Sequence, residues 1–237
     1  MHIFDPNINV KTINYTNSSY ASITTRFSEI VNNLHEFNFH ILGCGAIGSS
    51  AATQLCRMGA ESFFLYDFDK VEIENIGVSH YVMKDIGNKK VTALQKHLID
   101  INDFVEVRAV DNRFERLSMY SEKDIVILGF DNMTSRLEAV ENVIKNGPKP
   151  YLLIDGRMGS EHYQQYAFLS PTLTQYKKTW HSDDKGDPEP CNAKATSYCS
   201  NMSGSIIANT VTKALTNQDV KREIFFNFPS LVVASKQ

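Results

Sequence analysis

The sequence predicts an α/β fold built on a doubly wound, mostly parallel sheet with an antiparallel extension. Three observations carry this expectation. Apolar segments of strand length (37–42, 62–66, 105–110, 124–129 and 151–154) alternate with stretches of helical periodicity, as in repeated βα units. The run 124–129 (Asp-Ile-Val-Ile-Leu-Gly) is continuously apolar after its first residue, as a strand buried on both faces should be. The first strand turns into a helix through Gly43-Cys44-Gly45-Ala46-Ile47-Gly48, the G-x-G-x-x-G spacing of a nucleotide-binding βα turn. Together they define a Rossmann-like architecture.

Taken in order, residues 1–25 are polar and rich in Asn, Ser and Thr, and read as an irregular or edge-strand lead-in. Phe27, Ile30, Val31 and Leu34 have helical spacing and predict a helix over 26–34 packed beside the first strand. Residues 1–34 thus form a lead-in segment, and 35–237 a nucleotide-binding domain, one domain overall. A helix over 46–58 is closed by Gly59 at a C-cap position. Strand 62–66 ends in Asp67, and 67–75 lacks a clear period. Val91, Leu94, Leu98 and Ile101 mark the buried face of a helix over 89–101. Residues 105–110 alternate as a third strand. Strand 124–129 leads into a helix carrying Met133, Leu137, Val140 and Ile144. Strand 151–154 follows, with 163–169 pairing antiparallel to its extension. Residues 171–200 are polar, with Pro171, Pro188, Pro190 and an acidic run over 182–187, and predict a functional or mobile loop. A small-residue helix over 203–215 and an apolar segment over 225–233 close the chain.

The bulk numbers bound the function. With 237 residues, 42% hydrophobic and 22% charged, the chain can bury a full core. A formal charge of −3 gives no footprint for nucleic acid or an anionic membrane. No membrane-length apolar run and no signal-like leader are visible, so a cytoplasmic location is expected. Four cysteines (Cys44, Cys56, Cys191, Cys199) do not make a disulfide framework, and Cys44 and Cys56 read as small core fillers.

The chemistry converges at the carboxyl ends of the parallel strands, where such sheets bind ligands. Gly43 permits the tight turn, Gly45 lets backbone approach a phosphate, and Gly48 lets helix and strand pack closely. Asp67 stands nineteen residues beyond Gly48, where an acid can accept ribose hydroxyls, with Asp69 beside it. Lys90 opens a helix, an unfavourable place for a cation unless an anion such as phosphate is present; the alternative is a solvated lysine beside Lys89. Asp131 follows a buried strand and can hold Mg²⁺ through one carboxylate and several waters. Alternatively Asp131 or Asn132 only caps the helix. Arg136, a turn further on, supports that carboxylate or faces solvent.

Four elements in order then carry a resemblance: Gly43-Cys44-Gly45-Ala46-Ile47-Gly48; Asp67-x-Asp69-x-Val71-x-x-x-Asn75; Gly87-x-x-Lys90-Val91; and Asp131-Asn132-x-x-x-Arg136. Over roughly residues 35–217 the chain resembles the adenylation domain of the ThiF/MoeB/HesA superfamily, bacterial relatives of ubiquitin-activating enzymes. The resemblance implies ATP-dependent adenylation of a carboxylate, the C-terminus of a small ubiquitin-like protein or a peptide, with acyl-AMP and pyrophosphate as products. It assigns ATP's adenosine side to the glycine loop and Asp67, its phosphates to Asn75 and Lys90, and Mg²⁺ to Asp131. Such chemistry needs positioning and charge neutralisation rather than a protein nucleophile.

Three positions depart from the family pattern. A phosphate-contacting arginine is replaced by Val78, so that Lys84, Lys89 or Arg157 must supply the cation if turnover is retained. Arg26 is the one arginine before the glycine loop and does not match the arginine that relatives reach across a dimer interface. No Cys-x-x-Cys pair is present, so no structural zinc is expected. Cys191, in Pro190-Cys191-Asn192-Ala193, lies where relatives that form a thioester place a reactive cysteine; an inert loop thiol is the alternative, and Cys199 is a weaker candidate. His162 and His181 lack metal-ligand spacing, and Trp180 either anchors the polar loop or touches a partner. A homodimer is expected from the resemblance and from the small-residue face Ser203, Gly204, Ser205 and Ala208; intrachain packing is the competing use of that face. Two other function classes stay open: an NAD-dependent oxidoreductase on the same glycine turn, although no Tyr-x-x-x-Lys relay is visible, and a nucleotide-binding scaffold that has lost turnover.

Overall fold

The computed structural model describes residues 23–183 and 195–237. Eight strands form one sheet in the order β3-β2-β1-β4-β5-β6-β7-β8. The parallel part comprises β1 (Asn38–Leu42), β2 (Ser62–Tyr66), β3 (Glu106–Val110), β4 (Asp124–Leu128) and β5 (Leu152–Gly159). Then β6 (His162–Leu169), β7 (Glu223–Asn227) and β8 (Val232–Lys236) add antiparallel strands. The helices are α1 (Ala46–Arg57), α2 (Ile73–Ile76), α3 (Lys90–Ile101), α4 (Met133–Lys145), α5 (Leu173–Lys177) and α6 (Ser197–Leu215).

Alternation along the strands builds two cores. Phe39, Ile41, Phe63, Leu65, Ile125 and Ile127 point to one face, under α1, α3 and α6. Leu42, Phe64, Tyr66, Val126 and Leu128 point to the other, under α4 and α5. Because both faces are covered, the parallel strands are apolar almost throughout. The strand order reverses at β1, whose neighbours are β2 and β4, and a crevice opens beyond the carboxyl ends of β1 and β4.

The glycine turn makes that crevice possible. Gly43 has φ +94°, a left-handed conformation that disfavours a side chain, and its added Cβ would lie 2.9 Å from the Gly129 backbone. At Gly48 a Cβ would lie 1.9 Å from the Gly43 carbonyl oxygen, so α1 sits against β1 only because that atom is missing.

Four local expectations need correction. Residues 26–34 do not form a continuous helix: Phe27 bonds back to Thr24, Ile30 and Val31 bond back to Phe27, and a 3₁₀ turn follows at Leu34–Glu36. Asn32 and Asn33 interrupt the period, since Asn side chains favour turns over helix interiors; Val31 and Leu34 still reach the core. Within 171–200 the capping box of Thr172 and Gln175 starts α5, and the last helix begins at Ser197, six residues before the expected start at 203. The apolar segment 225–233 belongs to a hairpin, so the antiparallel extension has three strands rather than one. Finally, Ser203, Gly204 and Ala208 are buried within the chain. A Cβ on Gly204 would lie 2.3 Å from Ser50 Oγ of α1, so the small-residue face packs α6 on α1. Ser205 is exposed but bonds to Gln54. That face therefore gives no support to dimerisation.

Candidate functional site

A cavity of about 320 Å³ lies at the carboxyl ends of β1, β2 and β4. It brings together Gly43, Gly45, Asp67, Asp69, Lys90 and Asp131, six residues singled out from the sequence. Gly45 is the N-cap of α1 and lines the cavity, and no side chain caps this helix start, where backbone donors favour an anion.

Asp67 closes the turn from β2. Its Oδ2 accepts from the Cys44 N–H at 2.7 Å and its Oδ1 from the Asp69 N–H at 2.8 Å. Burial raises its carboxyl above the ordinary aspartate value, against the pull of the Asp69 N–H, the Lys90 charge and the Cys44 N–H. The Tyr81 hydroxyl donates to the Cys44 carbonyl at 2.6 Å, also lies 3.3 Å from the Lys90 carbonyl, and so ties the turn to the start of α3.

Lys90 is buried, with Nζ 2.9 Å from Asp69 Oδ2. Burial alone would push its ammonium down, but the Asp69 hydrogen bond and the charges of Asp67 and Asp69 outweigh this and raise it. Asp69 is thus the anion that a cation at this helix start requires. The placement of Lys90 does not by itself call for a phosphate, which corrects the reasoning from the sequence.

Asp131 is exposed on the cavity wall, and its Oδ1 accepts from Asn132 Nδ2 at 3.1 Å. Asn132 is the cap of α4, accepting from the Ser135 N–H at 2.7 Å. The capping role therefore belongs to Asn132, and Asp131 is left facing the cavity. Among the described residues no group of three or more His, Cys, Asp or Glu could hold a metal ion. A Mg²⁺ ion at Asp131 fits this donor set if water and nucleotide phosphates complete its shell, the usual way such ions are held beside phosphates.

Several expected residues are elsewhere. Asn75 does not line the cavity: its Oδ1 accepts from the Glu72 N–H at 2.9 Å and closes the first turn of α2. Gly48 is buried behind Gly43 and acts through packing. Arg136 neither supports Asp131 nor faces solvent; it is buried, donating to the Phe130 carbonyl and to Asp155. Arg157 is engaged with Asp155 at 2.7 Å, with the Thr179 carbonyl at 2.9 Å and with the Tyr166 ring. Lys89 bonds the Phe68 carbonyl and Asp111, and Lys84 does not line the cavity. None of the three proposed substitutes for the absent arginine points a free charge into the site.

Sequence reasoning missed another cation, which lines the cavity. Arg113 lines the cavity with Asn112 and Phe114, is 72% exposed, and lies 3.6 Å from Glu138. No motif marks it, but it follows β3 at its carboxyl end, where ligand-binding loops of such sheets belong. Val78 lines a separate cleft of about 240 Å³ with Ile76, Gly77, Ser79, His80 and the α6 residues Ser197, Ser200 and Asn201; among the described residues no Lys or Arg lines it.

Cys191 lies outside the described residues, as do residues 184–187 of the acidic run. Cys199 is buried, and burial pushes its thiol up to about 11, so it is no nucleophile. Cys44 and Cys56 are buried in the core as expected. His162 stacks near Phe225, and His181 Nδ1 lies 3.1 Å from the Ser182 carbonyl. Trp180 anchors its segment to the body, donating from Nε1 to the Met133 carbonyl at 2.7 Å.

Comparison with known proteins matches residues 17–232 to the ThiF family. Ubiquitin-like modifier-activating enzyme 5 of Caenorhabditis elegans is 30% identical over 118 residues, 44% of this chain and 28% of that protein. The tRNA threonylcarbamoyladenosine dehydratase of Bacillus subtilis (strain 168) is 30% identical over 111 residues, 44% of this chain and 43% of that protein. The matched stretch thus spans less than half the length of either relative. Among solved structures, PaaA superposes with a TM-score of 0.71 at 17% identity, covering 99% of this chain and 77% of that one. Escherichia coli MccB with ATP gives 0.66 at 16%, covering 92% and 69%. At these identities the superpositions establish the fold.

Proposed function

The chain belongs to the ThiF family, and from that premise we propose that it activates a carboxylate by ATP-dependent adenylation. The observation that carries this reading is the single cavity in which the glycine turn, Asp67, Lys90 and Asp131 meet. In the reaction a carboxylate oxygen of the substrate bonds to the α-phosphorus, the bond from that phosphorus to the bridging oxygen breaks, and pyrophosphate leaves with the electron pair. Gly43 and Gly45 let the backbone approach the phosphates, and the α1 N-terminus offers them donors. Asp67 accepts the ribose hydroxyls. Lys90 turns from Asp69 toward the phosphates, and Arg113 is the second cation within reach of the cavity. Asp131 would hold Mg²⁺, which when bound neutralises charge on the phosphates. No proton need be taken by the protein, which suits a site with no histidine in its lining.

The substrate we propose is the C-terminus of a small ubiquitin-like protein or a peptide. One relative is named for a ubiquitin-like modifier, and MccB has been solved together with MccA-N7isoASN. The net charge of −3 disfavours a nucleic-acid partner. Cys191 is proposed as an acceptor of the acyl group after adenylation. The homodimer now rests on family resemblance alone; sedimentation showing a monomer at micromolar concentration would remove it.

Two measurements test the reading. ATP with Mg²⁺, and not NAD, should raise the melting temperature; the reverse would favour an oxidoreductase. Pyrophosphate exchange and intact-mass screening against small proteins encoded beside this one should then find an acceptor. ATP binding without exchange across all of them would instead indicate a scaffold that has lost turnover, as Val78 in place of the family arginine allows.

A further inference from the structure

The turn that presents Asp131 is held at both ends by side chains distant in sequence. Ahead of it, the Phe130 carbonyl accepts from Arg136, which is paired with the buried Asp155. Behind it, the Asp183 carboxylate accepts from the Met133 N–H at 2.6 Å, the Thr134 N–H at 3.3 Å and the Thr134 hydroxyl at 2.9 Å. Trp180 donates to the Met133 carbonyl at 2.7 Å, so both backbone groups of Met133 are bonded to residues 180–183. Between these fixed points, among the described residues, the side-chain bonds of Asp131 and Asn132 run only to each other and to α4.

The clamp is itself anchored. Arg157 donates to the Thr179 carbonyl at 2.9 Å, and the Tyr176 hydroxyl donates to Asp155 at 3.1 Å. Asp155 therefore links the restraint before Asp131, through Arg136, to the restraint after it, through Arg157 and Trp180. Asn132 already caps α4 locally, so Asp183 supplies a second cap from fifty residues away. A carboxylate suits a helix N-terminus, and the Met133 N–H holds the Asp183 carboxyl below its ordinary range. Neither Trp180 nor Asp183 lines the cavity.

We propose that Trp180 and Asp183 are positioning residues that fix the Asp131 turn and thereby set the affinity of the nucleotide-bound protein for its divalent cation. The inference rests on the reading of Asp131 as the metal carboxylate. Displacing a site group by a full ångström can cost roughly a hundredfold; loosening a turn still tethered by Arg136 costs less, and about tenfold is expected.

The test uses the full chain and Asp183→Ala, Asp183→Asn, Trp180→Phe and Asp131→Asn. Hydrogen exchange at the Met133 and Thr134 amides is read without ligand. Mn²⁺ is titrated by electron paramagnetic resonance in the presence of a non-hydrolysable ATP analogue, and analogue binding is measured in chelator as a control. Asp183→Ala should speed exchange at both amides and weaken Mn²⁺ binding by about tenfold, with metal-free analogue binding unchanged. Asp183→Asn keeps an acceptor oxygen for Met133 and should recover most of both. Unchanged exchange, or Mn²⁺ affinity unchanged by Asp183→Ala while Asp131→Asn lowers it, overturns the positioning role alone. Mn²⁺ affinity unchanged by Asp131→Asn refutes the metal reading and takes the inference with it. If Asp183→Ala fails to fold, Trp180→Phe, which removes the indole donor while keeping an aromatic ring, carries the same expectations in the same direction.

Discussion

Asp131→Asn separates a metal-binding carboxylate from a structural one with little collateral damage. The substitution preserves size, and Asp131 caps nothing, because Asn132 takes the Ser135 N–H. Its one side-chain bond, from Asn132 Nδ2, has an oxygen acceptor that an asparagine can still supply. The stability change should therefore stay within about 0.5 kcal/mol, as for surface sites away from special features. The effect on the metal is larger. Two unit charges 4 Å apart attract by about 1 kcal/mol in water and about 4 kcal/mol at an effective dielectric of 20, and a divalent ion doubles either figure. Asp131 is exposed, so the aqueous end applies, and about 2 kcal/mol corresponds to roughly a thirtyfold loss. Calorimetry of ATP binding at rising Mg²⁺ reads this loss directly. Pyrophosphate exchange with an identified acceptor should fall by at least about tenfold. Equal Mg²⁺ dependence and equal exchange in the two proteins would remove Asp131 from the site. The missing arginine at Val78 would then stand as evidence for a lapsed enzyme.

Lys90→Met should weaken ATP by at least about tenfold while leaving adenosine binding unchanged; it costs little stability, because the freed Asp69 is half exposed and can be solvated. Equal ATP affinities would return Lys90 to a purely structural pairing with Asp69. Asp155→Ala leaves Arg136 and Arg157 buried without their carboxylate and should lower unfolding free energy by about 3–5 kcal/mol in urea titrations. The two arginines outweigh burial and hold the Asp155 carboxyl below its ordinary range, so its contribution is present above about pH 4 and is lost as pH falls through the depressed value. Acid unfolding of the wild type should accordingly be steeper than that of Asp155→Asn. Asp67 has the opposite sign: with its folded value raised, the stability gained from its protonated form declines as pH rises from about 3.9 through that value. Adenosine affinity should fall on acidification at a higher pH than an ordinary aspartate would dictate, and the Asp67→Asn protein should show a flat profile.

Much of the fold was legible because its signals are local. The period of apolar residues located β1, β2, β4, α1 and α3 within a residue or so, and the glycine spacing located the turn between β1 and α1. Asp67, Lys90 and Asp131 share the cavity lining, and each could be singled out because it closely follows a strand or opens a helix. The failures have a common cause. Asn75 and Arg136 sit at motif positions, yet their partners are set by bonds to Glu72 and to Asp155 that residue type alone does not reveal. Trp180 and Asp183 bond across nearly fifty residues to α4, and Arg113 reaches the cavity only because β3 ends beside it. Spacing rules describe neighbours along one element, so long-range pairing falls outside their reach.

The charge of the cavity gives the site its chemical logic. Among the described residues four carboxylates (Asp67, Asp69, Asp131, Glu138) face two cations (Lys90, Arg113), leaving a net of two negative charges around the space proposed for a polyanion. Both cations are already engaged, Lys90 with Asp69 and Arg113 with Glu138. A triphosphate entering alone would meet repulsion and would have to break those pairs, whereas a nucleotide arriving with a divalent ion brings the missing positive charge. An arginine in place of Val78 would lessen that dependence, and none is present. On the proposed adenylation reading the burden of neutralisation therefore shifts from side chains to metal, and with it the importance of the exposed carboxylate at Asp131 and of whatever keeps that carboxylate in place.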